Sequence, residues 1–159
     1  MSNGTIAVLL SASILSIAGL DQPSQVTARD RAWQLTGDGV VAGKTVVPIP
    51  GWVLAQASYA CAPELAVGPK GEAVITSNVV PTLWRVDPQT LAVTEHPLTL
   101  DADTDKDVGF TRLVYSPKHA AFFAVSLAHG SLWRIDTQLK RAQKIGFTLS
   151  KEDLTCATS

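Results

Sequence analysis

Two stretches of the chain decide its fold, TLWRVDPQTLAV (Thr82–Val93) and SLWRIDTQLKRA (Ser131–Ala142), and the second begins 49 residues after the first. The segments before them also match, with one inserted residue: ELAVGPKGEAVITS from Glu64 and RLVYSPKHAAFFAVS from Arg112. A fainter third copy, AWQLTGDGVV, begins at Ala32. The chain therefore contains an internal repeat of about 49 residues, a period typical of stacked structural units.

Each repeat predicts four short strands joined by tight turns. The first strand ends at Gly-Pro-Lys-Gly or Ser-Pro-Lys-His, where proline favours a type I turn. The second strand is an apolar run, Ala73 to Thr76 or Ala120 to Leu127, as expected of a strand buried on both faces. The third, Leu83 to Val86 or Leu132 to Ile135, alternates apolar and polar residues. Four antiparallel strands at this period predict an all-β fold made of β-propeller blades.

The hairpins LWRVDPQTLAVTEHPL and LWRIDTQLKRAQKI resemble the third and fourth strands of blades in exported bacterial β-propellers. That group includes YVTN-like, NHL-like and gluconolactonase- or streptogramin-lyase-like proteins. The resemblance covers most of residues 31–149 and implies architecture only, because propellers carry lyases, hydrolases, dehydrogenases and binding modules alike. No catalytic set of these families matches the present positions.

The repeat divides 29–159 into a partial blade at 31–50, blades at 52–100 and 109–149, and a tail strand at 150–159. We expect the partial blade to hold third and fourth strands only. The total is about 2.5 to 3 blades, whereas closed propellers have roughly four to eight. We expect a homodimer, or a protein partner that completes the propeller. The alternative is a fragment of a longer polypeptide.

The first 28 residues predict a signal peptide. Ile6 to Leu20 is an uncharged run of fifteen residues, shorter than the roughly 20 that span a bilayer, and Val26 and Ala28 suit a cleavage site before Arg29. The basic residues usual before such a run are missing, and a buried helix or an uncleaved anchor is the alternative. Cleavage would place the protein in the periplasm or outside the cell, with no stable membrane anchor.

The charges argue against nucleic acid as a partner. Lys and Arg number 13 and Asp and Glu 14, and charged residues make up only 17% of the 159. Hydrophobic residues make up 46%, enough for a folded core.

Cys61 and Cys156 are the two cysteines. In an oxidising compartment they favour a disulfide. On the blade count they lie two blades apart within a chain, so the sequence favours a bridge between chains, with two free buried thiols as the alternative.

Four acidic residues at alternate positions, Asp101, Asp103, Asp105 and Asp107, form a candidate calcium site. The EF-hand pattern is absent, since Lys106 and Arg112 occupy the places of its glycine and glutamate. A solvated acidic loop between blades is the alternative, and we expect no other cofactor.

A second candidate site lies at the predicted channel mouth. The repeat places Glu64 and Arg112 at equivalent strand starts, with Asn78 and His129 in the turns after the second strands. These four residues could bind a polar ligand, or they could form exposed salt bridges of little energy.

Two function classes remain open at this level. The first is an exported non-catalytic propeller that binds or scaffolds a partner. The second is a metal-assisted lyase or lactone hydrolase of propeller type, which needs several acidic or amide ligands at inner-strand starts. Only Glu64 clearly qualifies as such a ligand.

Overall fold

A computed structural model describes residues 26–28, 31–57, 61–146 and Cys156. The predicted signal peptide lies outside these residues except for Val26–Ala28, which form a strand. A cleavage after Ala28 would remove that strand. Residues 147–155 and 157–159, which include most of the predicted tail strand, also lie outside them. In the described ranges, no helix is long and apolar enough to cross a membrane.

The described chain is all-β and consists of three antiparallel, blade-like sheets. The first sheet contains β1 (Val26–Ala28), β2 (Arg31–Thr36), β3 (Gly39–Ala42) and β4 (Thr45–Pro48). A 3-10 helix at Val53–Ala55 leads to the second sheet, β5 (Leu65–Val67), β6 (Ala73–Thr76), β7 (Thr82–Val86) and β8 (Val93–Pro97). The third sheet contains β10 (Arg112–Ser116), β11 (Ala121–Ser126), β12 (Ser131–Asp136) and β13 (Arg141–Ile145), with β9 (Thr99–Leu100) beside β13.

The strands predicted for the two full repeats are confirmed. In both sheets, consecutive strands pair as neighbours through short turns. Gly71 closes the first of these turns with a hydrogen bond from its N–H to the carbonyl of Gly68, 3.0 Å away. Proline and glycine in this turn therefore act as the sequence indicates.

The N-terminal segment differs from its prediction. The sequence analysis assigned two strands to 32–50, but three form there, and β1 pairs with β2 to make a fourth. The additional turn lies at Gly43, whose φ of 63° is accessible to glycine at little cost. This glycine divides what reads in sequence as one β-branched run.

Strand β9 also departs from its predicted place. Residues 99–100 fall at the end of the predicted blade 52–100, yet Thr99 and Leu100 pair in parallel with Arg141 and Ala142 of β13. The chain therefore runs along the outer edge of the third sheet before it enters the innermost strand of that sheet, β10.

Two apolar cores hold the three sheets together, one on each face of the second sheet. The core between the first and second sheets contains Trp33, Trp52 and Trp84, all nearly or fully buried. The core between the second and third sheets contains Phe110, Phe122 and Trp133. Truncating a buried aromatic side chain typically costs about 3–5 kcal/mol, so these contacts supply much of the stability of the stack.

Buried tryptophan N–H groups are hydrogen-bonded across the first core. The Nε1 of Trp33 donates to the carbonyl of Gly71, 3.1 Å away, and that of Trp52 to Thr76, 2.9 Å away. Trp84 lies on the third strand of its sheet, as Trp133 does, but Trp33 lies on the second strand. These tryptophans pack between blades, although Trp33 does not occupy the same place in its sheet as Trp84 and Trp133.

We expect Gly109→Ala to destabilise the chain severely, because a Cβ at this position would overlap the backbone of Asn78. Backbone atoms cannot move aside as a flexible side chain can, so the free energy of unfolding should fall by about 3 kcal/mol or more. Chemical denaturation measures the change. Gly37→Ala is the matched control, since nothing lies within 4 Å of its added Cβ. Equal stability of the two variants would contradict the close contact.

Candidate functional site

Glu64 directly precedes β5 and forms hydrogen bonds with residues of β6 in the same sheet and of β10 in the third sheet. Its N–H donates to the Oγ1 of Thr76, 2.9 Å away, and its carbonyl accepts the N–H of Thr76, 3.0 Å away. Its carboxylate Oε2 accepts the N–H of Leu113, 2.6 Å away on β10. The side chain thus connects the innermost strand of the second sheet to that of the third sheet.

Burial raises the pKa of Glu64 above its ordinary value. The hydrogen bond from Leu113 and the positive charge of Arg112 act in the opposite direction and lower the pKa by smaller amounts. The structure therefore brings together Glu64 and Arg112, as the repeat predicts, at the strand-start end of the second and third sheets. Arg112 itself is exposed at the start of β10.

Asn78 has a structural place in the turn after β6. Its Oδ1 accepts the N–H of Ala57, 2.8 Å away, and its Nδ2 donates to the carbonyls of Ala57 and Cys61, 3.0 and 2.9 Å away. The residue is 8% exposed. These bonds use both polar groups of the amide to hold the segment that leads into β5, so the predicted ligand role of Asn78 stays a prediction without support from this geometry.

His129 lies in the turn between β11 and β12, and its exposed ring contacts the connector from the second sheet. Its Nε2 is 2.9 Å from the carbonyl oxygen of Asp107. Within the ranges that the structure describes, no hydrogen bond joins His129 or Asn78 to Glu64. The four predicted residues therefore form one close pair and two separate turn contacts.

The acidic connector is held by lysines. The Nζ of Lys144 donates to Asp103, as does that of Lys106 at 3.4 Å, and the backbone N–H of Lys144 donates to Asp101, 2.8 Å away. The bond with Lys144 is the main reason that the pKa of Asp103 is lowered. Over the described residues, no group of three or more His, Cys, Asp or Glu side chains is placed to hold a metal ion. Calcium binding by Asp101, Asp103, Asp105 and Asp107 stays a prediction.

Cys61 and Cys156 form a disulfide within one chain, with their Cα atoms 5.2 Å apart. The sequence analysis favoured a bridge between chains, because it placed the two cysteines two blades apart. Nine residues separate Gly146 from Cys156. At roughly 3.3–3.6 Å per residue, a chain of nine residues can span up to about 30 Å. The prediction from the blade count did not take the length of this segment into account.

A buried carboxylate at the opposite end of the second sheet was missed in sequence. Glu72 is 4% exposed, and its Oε2 accepts the N–H of Lys70, 2.7 Å away. The Nε of Arg85 is 4.0 Å from its Oε1, and the Nη2 of Arg85 donates to the carbonyl of Thr137 in the turn between β12 and β13. The arginine of the repeated Leu-Trp-Arg motif makes this bond between sheets. In the sequence, the motif indicates only a hairpin.

A surface depression lies at the outer edge of the third sheet. It has a volume of about 760 Å³, and its lining includes Arg134, Asp136 and Arg141. The carboxylate of Asp136 is already hydrogen-bonded within the chain, because it accepts the backbone N–H groups of Gln138 and Arg141 at 2.8 and 2.6 Å. A second depression, of about 410 Å³, lies beside Asn78 and Val53.

No family model matches the chain, and no curated protein matches it. Two solved structures are similar to part of the chain, both of virginiamycin B lyase from Staphylococcus aureus. The selenomethionine-substituted enzyme is 18% identical, with a TM-score of 0.48 over 77% of this chain and 36% of its own. The catalytically inactive variant with Quinupristin is 16% identical, with a TM-score of 0.47 over 79% and 38%. The chain thus spans little more than a third of these structures.

Because the pKa of Glu64 is raised on folding, the folded state holds this proton more tightly than the unfolded state. The contribution of Glu64 to stability is therefore fully present below the unfolded pKa, near 4.5, and is lost as the pH rises through the raised value. Glu64→Gln should remove this decline while keeping an acceptor for Leu113. Denaturation at several pH values tests this, with Glu95→Gln on β8 as an exposed control. Parallel pH profiles of wild type and Glu64→Gln would contradict it.

Reduction of the disulfide should lower the free energy of unfolding by about 4 kcal/mol, the effect expected for a closed loop of nearly 100 residues. Urea denaturation with and without a thiol reductant measures the loss. The double variant Cys61→Ser/Cys156→Ser is the control and should not respond to reductant. On a non-reducing gel the oxidised chain should migrate as a compact monomer. A dimer band that reductant removes would contradict the pairing within one chain.

Proposed function

We propose that the chain is a non-catalytic propeller-type binding or scaffold module that acts in the periplasm or outside the cell. Its binding surface is the face of the third sheet that points away from the second sheet. We call this surface the open face. Further blades, from a second copy or from a longer propeller, would pack against it.

The open face is equivalent to a covered face elsewhere in the same chain. Pairing places Ala66, Val74 and Arg85 side by side on the second sheet, and Val114, Phe123 and Arg134 side by side on the third. On the second sheet this face is buried against the third sheet, with Ala66 at 5% and Val74 at 0% exposed. On the third sheet Val114 is 59% exposed. The difference in exposure between Ala66 and its equivalent Val114 is the observation that carries the proposal.

The rest of the open face is also largely apolar toward the innermost strand. Alternation along the strands adds the half-buried Val125, Leu132 and Ile145 to this side. Polar residues follow toward the turn between β12 and β13, where Arg134 and Gln143 are exposed. An apolar centre beside polar residues is the usual composition of a surface that binds protein.

The bonds around the candidate ligand residues support a binding module more than an enzyme. Asn78 holds the entry to β5, and Glu64 joins β5 to β10, so both side chains already serve the stack. The alternative is a metal-assisted propeller lyase or lactone hydrolase. It draws on Glu64, which is a partly buried carboxylate at the start of an inner strand. Stoichiometric calcium or zinc in the purified protein would favour that alternative.

Val114→Asp should abolish association through the open face without unfolding the chain, because it places a charge on the apolar part of a surface that must lose its water. Light scattering over a concentration series measures the mass, and circular dichroism reports the fold. Val53→Asp is the control, since Val53 is 54% exposed but lies in the 3-10 helix. We expect wild type and Val53→Asp to associate and Val114→Asp to stay monomeric. Equal association of all three would contradict the proposal.

A further inference from the structure

We propose that the open face is covered by the first sheet of a second copy, so that two chains associate head to tail through two identical contacts. This inference rests on the proposed function and names the partner that the open face receives.

Both ends of the stack expose a valine at a strand position. The large hydrophobic side chains exposed in the described ranges are Val46, Val53 and Val114. Val46 lies on β4 and pairs with Val41, whereas the alternate residues Val40 and Val47 are buried against the second sheet. Val46, 62% exposed, therefore lies on the outer face of the first sheet, as Val114 lies on the outer face of the third. Two of the three exposed valines mark the two surfaces that would meet.

The order of the sheets specifies which surfaces meet. Within the chain the first sheet packs on the second and the second on the third, always in the same sense. Continuing this sense, the sheet that follows the third is the first sheet of another copy. A head-to-tail contact of this kind is heterologous, and it avoids filaments only if the ring closes. Two copies would contribute six sheets, which lies within the range of roughly four to eight blades in closed propellers.

Arg134 supplies the specific polar contact at this surface. Its counterpart Arg85 crosses to the third sheet and donates to the carbonyl of Thr137, in the turn between the third and fourth strands of that sheet. The matching turn of the first sheet joins β3 to β4 at Gly43 and Lys44. Arg134 therefore donates to a backbone carbonyl of the turn at 43–44 of the second copy.

The surroundings of Arg134 are consistent with this role. Glu72, which lies beside Arg85, directly precedes Ala73, and the residue that precedes the equivalent Phe122 is Ala121. Whereas the Nε of Arg85 lies 4.0 Å from the Oε1 of Glu72, Arg134 forms no ion pair among the described residues. Its hydrogen bond in the described part of the chain is a long one, 3.4 Å to the carbonyl of His119. Its donors are thus available to an incoming sheet.

The test compares light-scattering masses of wild type, Val114→Asp, Val46→Asp and Val53→Asp. We expect dimers for wild type and Val53→Asp and monomers for the other two, because each contact needs both outer faces.

An equimolar mixture of Val114→Asp and Val46→Asp should regain dimers, since one of the two contacts in the mixed pair is native. Arg134→Ala should raise the dissociation constant about a hundredfold, because each of the two identical contacts loses a charged hydrogen bond of about 1.4 kcal/mol. Lys106→Ala, in the connector, is its control.

The outcomes separate this inference from the proposed function. If Val46→Asp dimerises like wild type while Val114→Asp does not, the first sheet is not the occupant and only the head-to-tail inference fails. A mixture that stays monomeric, or Arg134→Ala with unchanged affinity, overturns the head-to-tail contact in the same way. A folded wild-type monomer at all concentrations, indistinguishable from Val114→Asp, overturns the self-association that both tests expect.

Discussion

The structure depends on one constraint, which is that a sheet with two apolar faces must be covered on both sides. The second sheet satisfies it, because Ile75 and Trp84 face the first sheet while Val74 and Leu83 face the third. The apolar residues of β6 and β7 are buried by packing against the neighbouring sheets. A blade of this kind has no core of its own, so stability comes from the stack and grows with each added neighbour. The sheets at the two ends are each covered on one side within the described chain.

Polar bonds between sheets fix the order in which these apolar faces pack. Trp33 bonds to the turn at Gly71, and Arg85 bonds to the turn at Thr137, so each pair of neighbouring sheets is joined near its turns. At the other end, Glu64 bonds to Leu113 between the innermost strands. Apolar contact alone would tolerate sliding of one sheet over another, whereas these directional bonds select one register.

The sequence predicts the strands well and the connections poorly. Strands of the two full repeats follow from periodicity and turn residues, because both are local properties. The turn at Gly43 was missed because a β-branched run on either side resembles one strand. The pairing of β9 and the closure of the disulfide depend on where distant segments arrive in space, which no local pattern records. The same reason explains the site: equivalence in the repeat predicts the positions of Glu64 and Arg112, but it does not predict the hydrogen bonds of Asn78 with Ala57 and Cys61.

The position of β9 has a consequence for how the protein can grow. An outermost strand normally presents unpaired backbone groups that can recruit a strand from another molecule. In the third sheet, Thr99 and Leu100 already occupy the edge of β13 at Arg141 and Ala142. Strand β9, in the connector between blades, thus hinders the addition of a strand from another molecule at this edge. Such addition is the first step toward fibrils. With that edge partly closed, a partner bound at the proposed open face would meet side chains, whose shape and charge can discriminate between partners, rather than unpaired backbone groups.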